Sequence, residues 1–349
     1  MVAPLRKGVE LTPQSNPAKV AVFALGGTIA SSLAEPGARG ITPRLGVAEL
    51  LATIPRLASI AEVTAVDFRR MPSCDLTFTD LAELGRALLG AFDEGCQGAV
   101  VIQGTDTLEE TAFALDLLLS GRGPVIVTGA MRSPRDVGPD GPANILASVL
   151  VAASPSSNGL GALVVMNDEI HAARFVRKTN STSPSAFASP SAGPLGWVSE
   201  GNVRWATRVG PLASVGVPNP DRLAPVALMR CTLGEDARVV DQLVGLGFAG
   251  LIVEGFGAGH VPARMVPTLE RLATRIPVVL ASRTGAGEVL SSTYGYPGSE
   301  TDLLSRGIIS AGALDGVKAR VALTLSLASH SSVADAAEAF KGLVASVTR

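Results

Sequence analysis

Two threonines in glycine-framed loops are the residues best placed to do chemistry. Thr28 sits in Leu25-Gly26-Gly27-Thr28-Ile29-Ala30, and Thr105 in Gln103-Gly104-Thr105-Asp106-Thr107. Each loop follows a short run of β-formers, Val20–Ala24 and Ala99–Ile102. In an open α/β sheet, loops at the carboxyl ends of strands line the ligand crevice. Glycine lets the backbone approach a ligand closely, so an adjacent hydroxyl can meet a substrate. Two such threonines, one followed by Asp106, predict a nucleophile site that also holds a charged substrate.

The elements around these loops follow from hydrophobic period. Val20–Ala24, Glu62–Phe68, Ala99–Ile102, Val125–Thr128 and Leu163–Met166 read as strands. Val47–Ile54, Thr79–Glu94, Leu108–Leu119 and Pro142–Ala152 read as helices, several with apolar residues three and four apart. Thr79 with Asp80 is the predicted N-cap of the second helix, and Thr107 that of the third. Strand–helix alternation implies parallel βαβ units with helices on both faces. Arg208–Pro225 carries four prolines and two glycines and reads as a linker. A second alternation follows: Val226–Met229, Ala237–Leu246, Gly250–Glu254, Pro262–Thr274 and Val278–Ala281, closing with helices at Gly316–Ala328 and Ser332–Val347. The expected organisation is a flexible tail over 1–18, an α/β catalytic domain over 19–207, a linker over 208–225 and a smaller α/β domain over 226–349.

Composition narrows the function. Of 349 residues, 47% are hydrophobic and 17% charged, enough for a large core. A net charge of -2 and 4% aromatics offer neither a basic footprint nor stacking platforms, so no nucleic-acid partner is expected. No apolar stretch approaches the roughly 20 residues that span a bilayer, and Met1–Ala18 has no apolar core of a secretory signal. Cys74, Cys96 and Cys231 form no even framework and read as reduced thiols, from which a cytoplasmic location is expected. The histidines His171, His260 and His330 have no zinc-ligand spacing, so no metal is expected. Neither a GxSxG elbow, a Walker A loop nor a GxGxxG fingerprint is present, so no nucleotide cofactor is expected either.

The two threonine loops, taken with Met131-Arg132-Ser133-Pro134, Lys178-Thr179-Asn180, Gly193-Pro194-Leu195-Gly196 and Lys318-Ala319-Arg320, form an ordered set that resembles the bacterial L-asparaginase/glutaminase amidohydrolases. The resemblance covers nearly the whole chain beyond the tail. It implies a two-domain asparaginase-like α/β fold, with a larger N-terminal parallel-sheet domain and a smaller C-terminal α/β domain. It also implies a homotetramer built as a dimer of dimers, and side-chain amide hydrolysis of L-asparagine to L-aspartate without metal or cofactor. Thr28 then matches the acylated nucleophile, and Thr105, Asp106 and Lys178 the second catalytic group. Ser73 matches the residue holding the substrate α-carboxylate and Asp106 the one holding the α-ammonium. Gly27 and Gly104 border the substrate. Glu300, reached by counting back from Lys318-Ala319-Arg320, matches a glutamate that reaches into a neighbouring chain's site, with Glu288 as the competing match.

The chemistry agrees with these roles. A threonine hydroxyl is a poor nucleophile until a base takes its proton. Lys178, buried beside Thr105 and Asp106, serves as that base if its surroundings favour the neutral amine. Backbone N–H groups of the glycine loops suit a tetrahedral oxyanion.

Three positions depart from the family pattern. Gln103 stands where histidine is common, the lid segment Ser31–Arg44 has no tyrosine and offers Thr42 as its nearest hydroxyl, and His260 replaces an asparagine in Gly257-Ala258-Gly259-His260. The reading is therefore an L-asparagine amidohydrolase with weaker action on L-glutamine. Two others stay open: an amidase subunit that supplies ammonia to a tRNA-dependent amidotransferase, and a catalytically weak amino-acid-binding sensor on the same fold.

Overall fold

The structure is a computed structural model that describes residues 17–27, 29, 31–33, 41–43 and 46–347. The first sheet region contains β1 (Ala18–Ala24), β2 (Ser31–Leu33), β3 (Ile41–Pro43), α1 (Val47–Ala52), β4 (Ala61–Asp67), α2 (Phe78–Asp93), β5 (Gly98–Ile102), α3 (Leu108–Leu119), β6 (Val125–Thr128) and α4 (Gly141–Ala153). It continues through β7 (Ala162–Met166), β8 (Glu169–Ala172), β9 (Arg177–Lys178), β10 (Phe187–Ala188), β11 (Gly196–Ser199) and β12 (Asn202–Trp205). The second contains β13 (Val226–Arg230), β14 (Gly250–Gly255), α5 (Val266–Ala273), β15 (Val278–Ser282), α6 (Glu300–Ser305), β16 (Ile309–Ser310), α7 (Gly316–Ser329) and α8 (Val333–Ser346).

The large sheet runs β12-β11-β8-β7-β6-β5-β1-β4. Its β4-β1-β5-β6-β7 portion is parallel, while β8, β11 and β12 add antiparallel strands at one side. β1 lies between β4 and β5, so the strand order reverses there, and that reversal opens a crevice at the carboxyl ends. Alternating side chains go to opposite faces. Ala21 and Phe23 of β1 with Ala99 and Val101 of β5 join the core under α2 and α3. Val20, Val22 and Ala24 with Val100 and Ile102 join the core under α1 and α4. Both faces are buried, which is why these strands read as continuous apolar runs.

The second sheet is parallel, β13-β14-β15-β16. Leu251, Val253, Val278 and Leu280 face a separate core with α5. Ile252, Val279 and Ala281 face α7 and enter the same apolar cluster as α3 of the first sheet. The cores of the two sheets are thus continuous through the α3–α7 packing.

Several local expectations change. The α2 cap is Thr77, not Thr79: its hydroxyl accepts from Asp80 N at 3.3 Å, and Asp80 accepts from Thr77 N at 3.0 Å. Starting the helix two residues earlier places Asp80 at the reciprocal position of a capping box. The helix expected over Ala237–Leu246 is only a 3-10 turn, Val240–Gln242. Thr107 is at the N-cap position of α3 but makes no side-chain cap bond. The Arg208–Pro225 segment is irregular yet tethered: Val215 N donates to Leu117 O at 2.9 Å, and Arg86 donates to Pro218 O at 2.6 Å. The expected tail over 1–18 falls mainly on residues 1–16, outside the described residues, and β1 begins at Ala18.

Thr77→Ala is expected to lower unfolding stability by about 1 kcal/mol, the worth of a lost N-cap. Thr79→Ala should cost only a few tenths, since Thr79 caps nothing. Equal costs in urea unfolding would contradict this assignment.

Candidate active site

Three loops meet at the crevice. The loop after β1 brings Gly26 and Gly27 at φ 107° and 90°, backbone that side chains rarely adopt. A Cβ on Gly27 would stand 2.2 Å from Gly104 N in the loop after β5. A Cβ on Gly104 would stand 2.7 Å from Ser73 Oγ in the loop after β4. Gly27 must be glycine because its backbone lies on that of Gly104, and Gly104 leaves room for the Ser73 side chain. Bonds along the strand ends hold the stack: Leu25 N donates to Ile102 O at 2.8 Å, and Met71 N to Leu25 O at 3.1 Å. Thr28 follows Gly27 directly but lies outside the described residues, as does most of the lid segment.

Lys178 on β9 enters the crevice from a different part of the chain. Its Nζ donates to Thr105 Oγ1 at 2.9 Å and to Asp106 Oδ1 at 2.7 Å. Thr105 is buried, whereas the Asp106 side chain is 65% exposed and the Lys178 side chain 17% exposed. Lys178 is therefore beside its expected partners but only partly enclosed. Among the described residues Asp106 Oδ2 has no partner, so one carboxylate oxygen stays open to a cation. Ser73 is buried; its Oγ accepts from Asp106 N at 3.2 Å, and its carbonyl accepts from the Thr107 hydroxyl at 2.8 Å. That bond explains the missing α3 cap: Thr107 ties two site loops instead. The Ser73 hydroxyl hydrogen has no acceptor among the described residues, which leaves it for an anion.

Gln103 is fully buried under this loop, and its Nε2 donates to Gly104 O at 3.2 Å. It braces the loop from beneath and does not face the crevice.

Glu300 shares no hydrogen bond with this group. It is fully buried at the start of α6, where Ser299 caps the helix. Its Oε1 accepts from Thr293 N at 2.9 Å and Tyr294 N at 2.7 Å, and its Oε2 lies 3.2 Å from His260 Nε2. Tyr296 Oη is 2.9 Å from His260 Nδ1, and both Tyr294 and Tyr296 pack edge-on against the imidazole. Glu300 anchors this turn, and the outward-facing parts of the cluster are the two tyrosines, both exposed. Neither tyrosine lies in the lid segment Ser31–Arg44, where the family pattern has one. Among the described residues Glu288 shares no hydrogen bond or ion pair with the crevice residues either, and lies in the Gly285–Leu290 stretch beside the second sheet.

Among the described residues no group of three His, Cys, Asp or Glu side chains is clustered to hold a metal ion. Nor, among the described residues, is any helix long and apolar enough to cross a membrane.

The site is thus a Thr–Lys–Asp cluster at the topological switch point of a doubly covered α/β sheet. Comparison with known proteins is specific. Residues 19–210 match the Asparaginase, N-terminal family, and residues 225–340 match the Glutaminase/Asparaginase C-terminal domain. The chain is 35% identical to an L-asparaginase of Bacillus licheniformis, over 89% of this chain and 96% of the relative. It is 33% identical to a glutaminase-asparaginase of Pseudomonas aeruginosa, over 84% of this chain and 83% of the relative. The crystal structure of a probable cytoplasmic L-asparaginase from Campylobacter jejuni superposes with a TM-score of 0.82 at 30% identity, covering 93% of this chain and 99% of that one. The chain belongs to the asparaginase family.

Burial alone pushes the Glu300 carboxyl up, but N–H donors from Tyr294 and Thr293 and the contact with His260 outweigh it and hold the group below the usual glutamate range. A lowered folded value means that the ionised group stabilises the fold above the unfolded value, about 4.3, and that this is lost as pH falls through the folded value. Glu300→Gln should destabilise the protein by about 2 kcal/mol at pH 7. The deficit should shrink toward zero as the pH drops below about 4. A deficit constant from neutral pH to pH 3 in denaturant titrations would show that the charge of Glu300 is not what holds the turn.

Proposed function

We propose that this chain is an L-asparagine amidohydrolase that releases L-aspartate and ammonia through an ester on Thr28, with weaker action on L-glutamine. The observation that carries the reading is the Lys178 ammonium bonded at once to Thr105 and Asp106, beside the Ser73 hydroxyl. The ionic and polar groups suit a zwitterion: Asp106 Oδ2 for the α-ammonium and Ser73 for the α-carboxylate. An ammonium docking on Asp106 would meet the same carboxylate that pairs with Lys178 at 2.7 Å. Relatives named both L-asparaginase and glutaminase-asparaginase support the substrate class.

In the proposed sequence the Thr28 hydroxyl attacks the side-chain amide carbon, and its proton passes through Thr105 to a neutral Lys178. The tetrahedral oxyanion is met by backbone N–H groups of the glycine loops. It collapses with cleavage of the C–N bond, Lys178 returns the proton to the leaving nitrogen, and ammonia departs. Water then attacks the ester by the same relay, which frees aspartate and restores Thr28. We also propose a homotetramer whose neighbouring chain meets the crevice with the His260–Glu300 turn, and a cytoplasmic location, in keeping with three unpaired cysteines.

Thr28→Ala is expected to lower kcat for ammonia release from L-asparagine by about 10³- to 10⁵-fold while leaving the fold intact. Mass spectrometry of a slowly hydrolysed substrate should find the acyl group on the Thr28 peptide; an adduct on Thr105 would reverse the two roles. No ammonia release by the wild-type protein would overturn the reading as a whole.

Lys178→Met should abolish turnover yet bind L-aspartate within about tenfold of wild type, because the Asp106 and Ser73 contacts remain. A folded variant with near wild-type kcat would remove Lys178 from the relay.

A further inference from the structure

We propose that Lys318 is the positioning residue that sets Lys178 against Thr105, by gripping both segments that carry them from a third. Lys318 is on α7, in the second sheet region, and its side chain is 1% exposed. A buried ammonium needs all three of its donors matched. Here Nζ donates to Val176 O at 2.7 Å, to Asp315 Oδ2 at 3.1 Å and to Glu109 Oε2 at 3.2 Å. Val176 lies two residues before Lys178, and Glu109 lies four residues after Thr105 on the first turn of α3.

Lys178 and Thr105 are 73 residues apart in the chain, and they are brought together across two separate supports. β9 is only two residues long and pairs antiparallel with the equally short β10, Phe187 opposite Lys178. So short a ribbon is a weak frame for a catalytic amine. The Lys318 bond to the Val176 carbonyl adds a buried fixed point next to it. A second link lies alongside: Arg177 Nε stands 3.5 Å from Asp315 Oδ2, and Asp315 also caps α7 by accepting from Lys318 N at 2.9 Å. On the other side, Glu109 turns with α3, whose first residues follow the Thr105-Asp106-Thr107 loop. One cation therefore fixes the distance between the two halves of the Thr105–Lys178 pair, and it belongs to neither. The charged groups facing it are Glu109, Asp315 and, behind them, Glu110 and Arg177; among the described residues the carboxylate paired with Lys178 is Asp106.

The proposal rests on the amidohydrolase reading for its kinetic arm, but its geometric arm stands without it. Glu109→Gln and Lys318→Met are made singly and together, with folding checked by circular dichroism. Crystal structures should show the Lys178 Nζ to Thr105 Oγ1 distance lengthened past hydrogen-bond reach in Lys318→Met. The kcat for L-asparagine should fall about 10- to 100-fold, the cost of roughly 1 Å of misplacement. KM should change by about twofold or less, and the pH at half-maximal kcat should move by about half a unit, which mere loss of folded protein would not cause. The double variant should lose no more than Lys318→Met alone, since both changes break one linkage. If Lys318→Met does not fold, Glu109→Gln decides, with a smaller loss of the same kind. Folded variants that keep the bond, kcat and the pH half-point would overturn the proposal. A wild-type protein that releases no ammonia would overturn the functional reading instead, and leave the bond lengths to decide this one.

Discussion

The contact on which the site depends is Gly27 laid backbone against backbone on Gly104, with the Ser73 side chain laid on Gly104 in turn. No side chain larger than hydrogen fits at either glycine, so three loops from three parallel strands close to within a few ångströms. The closeness comes from topology. β1 carries β4 on one side and β5 on the other, so the loops leaving all three strands emerge at one point. The polar groups of these loops are hung from that stack, the Asp106 N–H on Ser73 and the Thr107 hydroxyl that ties the loops instead of capping its helix, while Lys178 comes to them from β9.

The second constraint is a charge in a dry place. The apolar core runs without a break from α3 through α7 into the second sheet, and Lys318 is set within it. Asp315 illustrates how the cost is met. Its burial opposes ionisation, but Lys318 and Arg177 outweigh it and hold the carboxyl below the ordinary range. Asp116, on the same α3, shows the opposite balance. Burial pushes it up to about 6, because Arg174 stops 3.8 Å away and one N–H from Ala162 is too little compensation. Two cations and a backbone N–H outweigh burial at Asp315, whereas one cation and one N–H do not at Asp116.

The second sheet region contributes more than bulk. It anchors β9 through Lys318 and Asp315, and it presents an aromatic turn in which Glu300 is the buried tether. In that turn Glu300 holds two N–H groups while His260 relays the carboxylate to Tyr296. The chain's two tyrosines are both here, and both are exposed.

Local pattern determined the repeating part of this protein. Apolar runs at β1, β5, β6 and β7 had to be buried on both faces, and glycine beside threonine after β1 and β5 had to be loops at a strand end. Those features depend on residues adjacent in sequence, and they were legible, as was the family to which the ordered motifs belong. Tertiary structure decided what depends on distant partners. Thr77 rather than Thr79 caps α2 because Asp80 folds back on it. Ala237–Leu246 has a helical period but forms only one 3-10 turn. In the sequence Lys318 stands only as part of the Lys318-Ala319-Arg320 run, though Leu314, Val321 and Ala322 at helical spacing around it signal a buried face. Its three acceptors come from segments up to 209 residues away. No local pattern encodes such a meeting, because the energy that holds it exists only once the two cores have joined.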